Sequence, residues 1–218
     1  MIGQVLFVFW TSFGVGFSGA ASPGPLLAYN IRETARHGFW VGPLLTTGHS
    51  ILELALVTLL VVGLGRFMDN TAAFVTIAFL GSGFLLFMGW GMLRRPGQVV
   101  PPRAEREQAR KDLKPHRLLM GGILVSLSNP FWSLWWATAG LNFLNWAQER
   151  DLGLWGIGAF YMGHILSDYA WYGAVSLALA TGRRFLTDTF YKVLILVCGL
   201  FLWAMAGYFI SQGVARLM

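Results

Sequence analysis

Six long apolar stretches in 218 residues leave this chain almost no material for anything except helices that cross a bilayer. A helix spanning a hydrocarbon core about 30 Å thick needs roughly 20 apolar residues at 1.5 Å each. Residues 4–31, 39–64, 72–93, 118–146, 154–180 and 191–212 meet that length. Only 12% of the chain is charged, about half the share of an average soluble domain. No charged segment or convincing small-residue cleavage site marks the first stretch for removal, so it is read as a retained span. Residues 94–117, with Pro96, Pro101, Pro102 and Pro115 around a charged run, read as a linker. The expected organisation is a first triplet over 1–95, a cytoplasmic linker over 96–116 and a second triplet over 117–218.

The net charge of +6 does not point to nucleic acid, because the basic residues lie between apolar stretches and not on a polar face. They instead set an orientation. The first, third and fifth connections carry thirteen Lys and Arg (Arg32, Arg36, Arg94, Arg95, Arg103, Arg106, Arg110, Lys111, Lys114, Arg117, Arg183, Arg184 and Lys192), and the opposite side carries Arg66, Arg150 and Arg216. By the positive-inside rule both termini face away from the cytoplasm. Trp10, Trp40, Trp90, Trp146 and Trp155 fall near span ends, where an indole suits headgroup depth. Cys198 is the single cysteine, so neither an internal disulfide nor a cysteine metal cluster can form, and it reads as a small buried hydrophobe.

The chain also repeats itself. Gly48-His49-Ser50-Ile51-Leu52-Glu53 is echoed 115 residues later by Gly163-His164-Ile165-Leu166-Ser167-Asp168. Gly83 and Gly91 recur as Gly199 and Gly207, and Pro23 as Pro130, in the same order. A repeat with an odd number of crossings re-enters the membrane from the other side, so the expected fold is an all-α integral membrane protein of six transmembrane helices arranged as a 3+3 inverted repeat. Gly81, Gly83, Gly89 and Gly91 are expected to let helices approach closely.

Helices 1 and 4 are expected to be broken at Ser-Pro-Gly-Pro (Ser22, Pro23, Gly24, Pro25) and at Asn-Pro (Asn129, Pro130). Ser22 with Pro23, and Ser128 or Asn129 with Pro130, offer an N-cap and a first helical residue for each restart. Each restart would expose backbone N–H groups suited to a carboxylate. Trp132, Trp135 and Trp136 follow the second break; packing is the favoured role for them, and contact with a substrate cation the minority one.

Glu53 and Asp168 are the acids in mid-span, at matched places. An unpaired acid there costs on the order of 2.5–3.5 kcal/mol, so each needs a partner, a proton or a wet cavity. His49 and His164 lie one turn away on the same helix faces and can pair with them. The four together suit reversible protonation coupled to solute movement. Two imidazoles and two carboxylates could also bind a divalent transition metal, which makes metal transport the alternative function. No nucleophile–base set, phosphate loop or H-E-x-x-H occurs, so no enzyme and no cofactor is expected.

At these residues the sequence resembles the LysE-type family of lysine and homoserine exporters (LysE/RhtB amino acid translocators). Ser22-Pro23-Gly24-Pro25, a charged loop at 32–37, Gly38, Gly42, Gly48, Glu53, Asn129-Pro130, Asp168, Gly199 and Gly207 carry the likeness over nearly the whole chain. The resemblance implies a secondary transporter of the inner membrane that exports amino acids or similar small zwitterions, by proton antiport. It also implies a homodimer by analogy. The resemblance places Ser22, Pro23, Gly24, Pro25, Asn129, Pro130, Glu53 and Asp168 near the pathway; the residues themselves add Ser128 and Trp135 to the expected substrate site, and His49 and His164 to Glu53 and Asp168 as expected proton carriers, the histidines not being general family features. The partners are then an amino acid-like solute, protons and the bilayer.

Overall fold

A computed structural model of the chain describes residues 1–64, 71–94, 114–182 and 188–217, and among these it is helical with no strand. Most of the linker, including Pro96, Pro101 and Pro102, lies outside the described residues, as do Arg66, Arg183 and Arg184. Helix α1 covers Ile2–Ala20, α2 Pro25–His37 and α3 Val41–Leu59, the last continuing into a π-helical turn over Leu60–Leu64. Helix α4 spans Thr71–Arg94, α5 Pro115–Leu127 and α6 Pro130–Trp135, followed by a π-helical turn over Trp136–Gly140 and α7 over Leu141–Gln148. Helices α8 (Leu154–Thr181) and α9 (Asp188–Ala215) complete the described chain. Four stretches are long and apolar enough to cross a membrane by length and composition: Ile2–Ala20, Val41–Val62, Phe74–Arg94 and Leu196–Ala215. The chain is a multi-pass membrane protein, and Trp10, Trp40 and Trp155 are among its exposed apolar side chains.

Burial in α1 falls on Val8, Ser12, Gly16 and Ala20, every fourth residue, and in α5 on Leu118, Gly122 and Ser126 with the same spacing. That interval makes one narrow stripe of mostly small residues along a helix. The α1 stripe packs on α8 and the α5 stripe on α3. Glycines set how close these pairs come: a Cβ on Gly163 would run into the carbonyl of Phe9, and one on Gly48 into the carbonyl of Leu119. A third tight pair joins α4 to α9, where a Cβ on Gly89 would stand 2.9 Å from the Gly199 carbonyl. Gly83, Gly91 and Gly207 have nothing within 4 Å of an added Cβ, so the close approach expected of this glycine-rich region belongs to Gly89 and Gly199. Cys198 is fully buried, as a small hydrophobe.

Helix α2 corrects two expectations. The charged segment 32–37 is not a loop: it forms the last turns of α2, with Arg36 and His37 at the C-terminal end where cations are favourable. Gly38 ends the helix at φ 90°, a conformation that a residue with a Cβ rarely adopts, while its N–H caps the carbonyl of Thr34. The helix also starts later than Ser22 and Pro23 suggest. Gly24 is the N-cap in extended conformation and Pro25 the first helical residue, while the Ser22 hydroxyl donates back to the carbonyl of Ser18 at 3.0 Å. Proline at the first position costs nothing because that N–H has no helical partner, and Gly24 leaves the turn free to form. Buried polar groups tie α2 to α8: Ser176 donates to Asn30 Oδ1 at 2.9 Å, and Asn30 Nδ2 donates to the Tyr172 carbonyl at 3.3 Å.

Candidate functional site

His49 and Glu53 sit on α3, and His164 and Asp168 on α8, each pair four residues apart and so on one helical face. Where α3 and α8 pack, all four meet; Glu53 is 1% exposed and Asp168 3%. The pairing is not the one spacing suggests. His49 Nε2 lies 3.2 Å from Glu53 Oε1, but His164 Nε2 also turns to Glu53, 3.0 Å from Oε2, and stands 3.9 Å from Asp168 Oδ2 on its own helix. Glu53 is therefore the centre of the cluster, and both imidazoles are directed at it.

Two indoles complete its surroundings. Trp132 Nε1 and Trp136 Nε1 each donate to Glu53 Oε1 at 2.8 Å. They come from α6 and the first residue of the π-helical turn that follows it. Such donors stabilise a buried carboxylate that would otherwise need a proton or water. Trp132 and Trp136 thus bind the acid. Trp135 lines the cavity and lies over the His164 ring, 4.9 Å between centroids at 27°.

Asp168 is different. Neither its Oδ2 nor Glu53 Oε2 accepts a hydrogen bond, but an imidazole nitrogen lies 3.0 Å from Oε2, whereas the two Nε2 atoms stand 3.7 and 3.9 Å from Oδ2. The imidazoles also differ from each other. His49 Nδ1 lies 2.7 Å from the Ser126 hydroxyl, whereas His164 Nδ1 has no hydrogen-bond partner and faces Gly16, where an added Cβ would come within 2.6 Å of it.

The cluster forms one wall of a cavity of about 50 Å³. That is room for a few water molecules, not for a whole amino acid. Asn129 and Ser126 extend the polar wall, and Phe131, Trp132, Trp135 and Tyr172 supply an aromatic one. Asn129 caps α6, its Oδ1 accepting the Phe131 N–H at 3.1 Å, so the anion cradle expected at this helix start is filled by the chain itself. Gly24 caps α2 without a side chain, and Leu26 in the first turn of α2 lines the cavity. The two helix starts adjoin, a Cβ on Gly24 falling 3.9 Å from Asn129 Nδ2. Ser22, Pro23, Gly24 and Pro25 are not on the cavity wall; Gly19, Ala20 and Leu26 are. Ser128 lines a separate lateral cavity of about 240 Å³ with Thr76, Gly81 and Ser133. Pro130 opens α6.

His49, Glu53 and Asp168 each offer one ligand atom, all within 4.8 Å of one another, a spacing that could admit a metal ion. The nearest lone pairs are already engaged, however, by two indole N–H groups on the Glu53 oxygen that faces His49. A divalent ion bound through that oxygen would compete with both donors.

Comparison with known proteins identifies the family. The family model described as LysE type translocator matches residues 17–213. The chain belongs to this family. The match takes in both helix starts, the four-residue cluster and α9 up to residue 213, so every residue lining the cavity falls within the matched segment. A protein of Bacillus subtilis (strain 168) named "Putative amino acid efflux protein YcgF" is 24% identical over 216 residues, covering 97% of this chain and 99% of its own. No solved structure matches the translocator. Members of such a family are transporters and not enzymes, and neither comparison favours metal transport.

Ser126, Trp132 and Trp136 are the side chains whose contacts with the cluster sequence reading missed. The signal for the indoles was their spacing of four after Asn129-Pro130, which sets both on one side of a helix start.

Proposed function

We propose that this translocator exports amino acids across the cytoplasmic membrane by proton antiport, with both termini outside the cytoplasm and residues 1–95 and 117–218 as oppositely inserted triplets joined by a linker over 96–116. The observation that carries the reading is the buried cluster of Glu53, Asp168, His49 and His164 on the wall of a small cavity beside two adjoining helix starts. Ionisable groups at such depth are costly and are kept where a proton or charged solute passes.

Three matched contacts support the inverted repeat. Gly48 against Leu119 mirrors Gly163 against Phe9. The carbonyl of Leu45, which a Cβ on Gly122 would strike, mirrors that of Phe160, which accepts from the Ser12 hydroxyl at 2.6 Å. His49 against Ser126 mirrors His164 against Gly16. Every match uses the same offsets, 115 residues between α3 and α8 and 110 between α1 and α5. Chance likenesses of Gly and Pro would not hold one register through three separate contacts. The prolines that open the second helix pieces are Pro25 and Pro130, 105 residues apart, so the breaks themselves do not keep the 110-residue offset of the stripes.

In this mechanism the substrate carboxylate lies at the uncapped start of α2, and its ammonium meets an acid of the cluster. His49 carries the coupling proton, because both its ring nitrogens face an acceptor when it is charged: Glu53 Oε1 at 3.2 Å and the Ser126 hydroxyl at 2.7 Å. His164 has no acceptor at Nδ1 and serves as a neutral donor to Glu53. The cavity must widen to admit a solute, which rocking of one triplet against the other provides. Purified protein in vesicles loaded with labelled amino acids tests this: an imposed acid-outside gradient should drive efflux. Efflux unchanged by the gradient refutes antiport.

A further inference from the structure

We propose that the cavity selects amino acids with a single positive charge and an uncharged apolar or aromatic side chain, and that Asp168 is the group that receives their ammonium. This rests on the export reading and narrows it to a substrate class.

The argument begins with the two carboxylates. A carboxylate offers about four lone-pair directions. Glu53 Oε1 takes two indole N–H groups at 2.8 Å and the His49 nitrogen at 3.2 Å, while Oε2, which has no hydrogen bond, faces the His164 nitrogen at 3.0 Å. An ammonium at Glu53 would have to share Oε2 with that imidazole, whereas the nearest imidazole nitrogen to Asp168 Oδ2 stands 3.7 Å away. Asp168 is equally buried, also lines the cavity, and has an oxygen with no hydrogen bond. One free carboxylate serves one ammonium.

The rest of the wall decides the side chain. The same cavity is lined by Phe131, Trp132, Trp135 and Tyr172, faces on which apolar and aromatic groups pack. Among the described residues no Lys or Arg is on the wall, and its two histidines already face Glu53, so an acidic side chain would add a third carboxylate to a cluster with no cation to spare for it. A dibasic substrate would bring a second ammonium into the same space with no free acceptor left for it. The uncapped first turn of α2, which reaches the cavity through Leu26, supplies N–H groups for the one carboxylate that every amino acid has.

The test is counterflow in vesicles containing the full chain, with labelled leucine and phenylalanine against lysine, arginine and glutamate at one concentration. Leucine and phenylalanine are expected to exchange at least tenfold faster than the charged three. Asp168→Asn should remove leucine exchange and Asp168→Glu restore part of it, with melting curves run beside both to show that the variants are folded. Lysine, arginine or glutamate exchanging as fast as leucine would overturn the substrate class while leaving export standing. Exchange of no amino acid would overturn export itself. A folded Asp168→Asn protein that still exchanges leucine would overturn the assignment of the ammonium to Asp168.

Discussion

Glu53→Gln and Asp168→Asn remove one charge each from the same buried cluster, yet the structure assigns them different consequences. In Glu53→Gln the amide oxygen can keep the two indoles only by turning its NH₂ group towards His164 Nε2, which lies 3.0 Å from the oxygen that is replaced. Donor then faces donor unless His164 moves its proton to Nδ1, where it has no partner and Gly16 leaves no room for one. An unpartnered buried donor costs about 1–3 kcal/mol, and two charge-assisted bonds reduced to neutral ones cost about 1 kcal/mol each. The sum is about 3–5 kcal/mol, the range found when one partner of a buried ionic group is removed. For a chain of this length that lowers the melting temperature by about 6–20 °C. Asp168→Asn breaks no hydrogen bond at Oδ2, so its stability should stay within about 1 kcal/mol of the parent while transport is lost. Thermal unfolding in detergent and counterflow in vesicles, run on both variants, read the two effects separately. A Glu53→Gln protein that melts like the parent, or an Asp168→Asn protein that melts as low as Glu53→Gln, would refute the view that Glu53 is the anchored acid and Asp168 the available one.

Other substitutions probe the packing and the proton route. Gly48→Ala and Gly163→Ala place a methyl group on the backbone carbonyls of Leu119 and Phe9, and each should destabilise by about 1–3 kcal/mol. Gly83→Ala, with nothing within 4 Å, should be neutral or gain up to about 1 kcal/mol of helix propensity, and denaturation in one detergent compares all three. Gly38→Ala forces a side chain into φ 90° at the end of α2 and should cost about 1–3 kcal/mol, measured in the same way. Ser126→Ala removes the acceptor at His49 Nδ1, so efflux should need a more acidic outer medium, with Ser126→Thr close to the parent. In the same assay His49→Gln should lose the dependence on outer pH and His164→Gln keep it; the reverse result would exchange the roles of the two histidines.

The sequence carried the parts of this site that depend on one helix at a time. Apolar run length gave the membrane class, and the four-residue interval placed His49 with Glu53 and His164 with Asp168. Asn129-Pro130 announced the start of α6, because a side-chain cap followed by proline is a local device. What it could not carry were choices made between helices. Whether His164 turns to Asp168 or Glu53 depends on how α8 crosses α3, and whether indoles reach an acid depends on where α6 docks. The start of α2 was misread for a local reason, since Ser22-Pro23 and Gly24-Pro25 both satisfy the rule for a cap and first residue, and only packing chooses between them.

The same distinction explains why two similar halves yield one working site. Each half supplies a G-H-x-x-x-acid helix and a stripe of small residues on which the other half's helix packs, so the two histidines begin as equivalents. Their difference comes from exchanged small residues on the stripes: serine at 12 and glycine at 122, but glycine at 16 and serine at 126. At the first pair the hydroxyl of Ser12 holds a backbone carbonyl, while the opposite glycine lets the carbonyl of Leu45 come close. At the second pair the hydroxyl meets the ring of His49 and the glycine meets the ring of His164. A single oxygen thus determines which imidazole can hold two protons. Moving it should move the function: Ser126→Gly combined with Gly16→Ser should shift the pH sensitivity of efflux from His49 to His164, provided the His164 ring and the Ser167 hydroxyl both move aside for a Cβ that would otherwise stand 2.6 Å from Nδ1 and from Oγ. Adding His49→Gln to that double variant makes the measurement decisive. Efflux that remains pH-dependent supports the exchange of roles, and a folded triple variant whose efflux ignores pH refutes it.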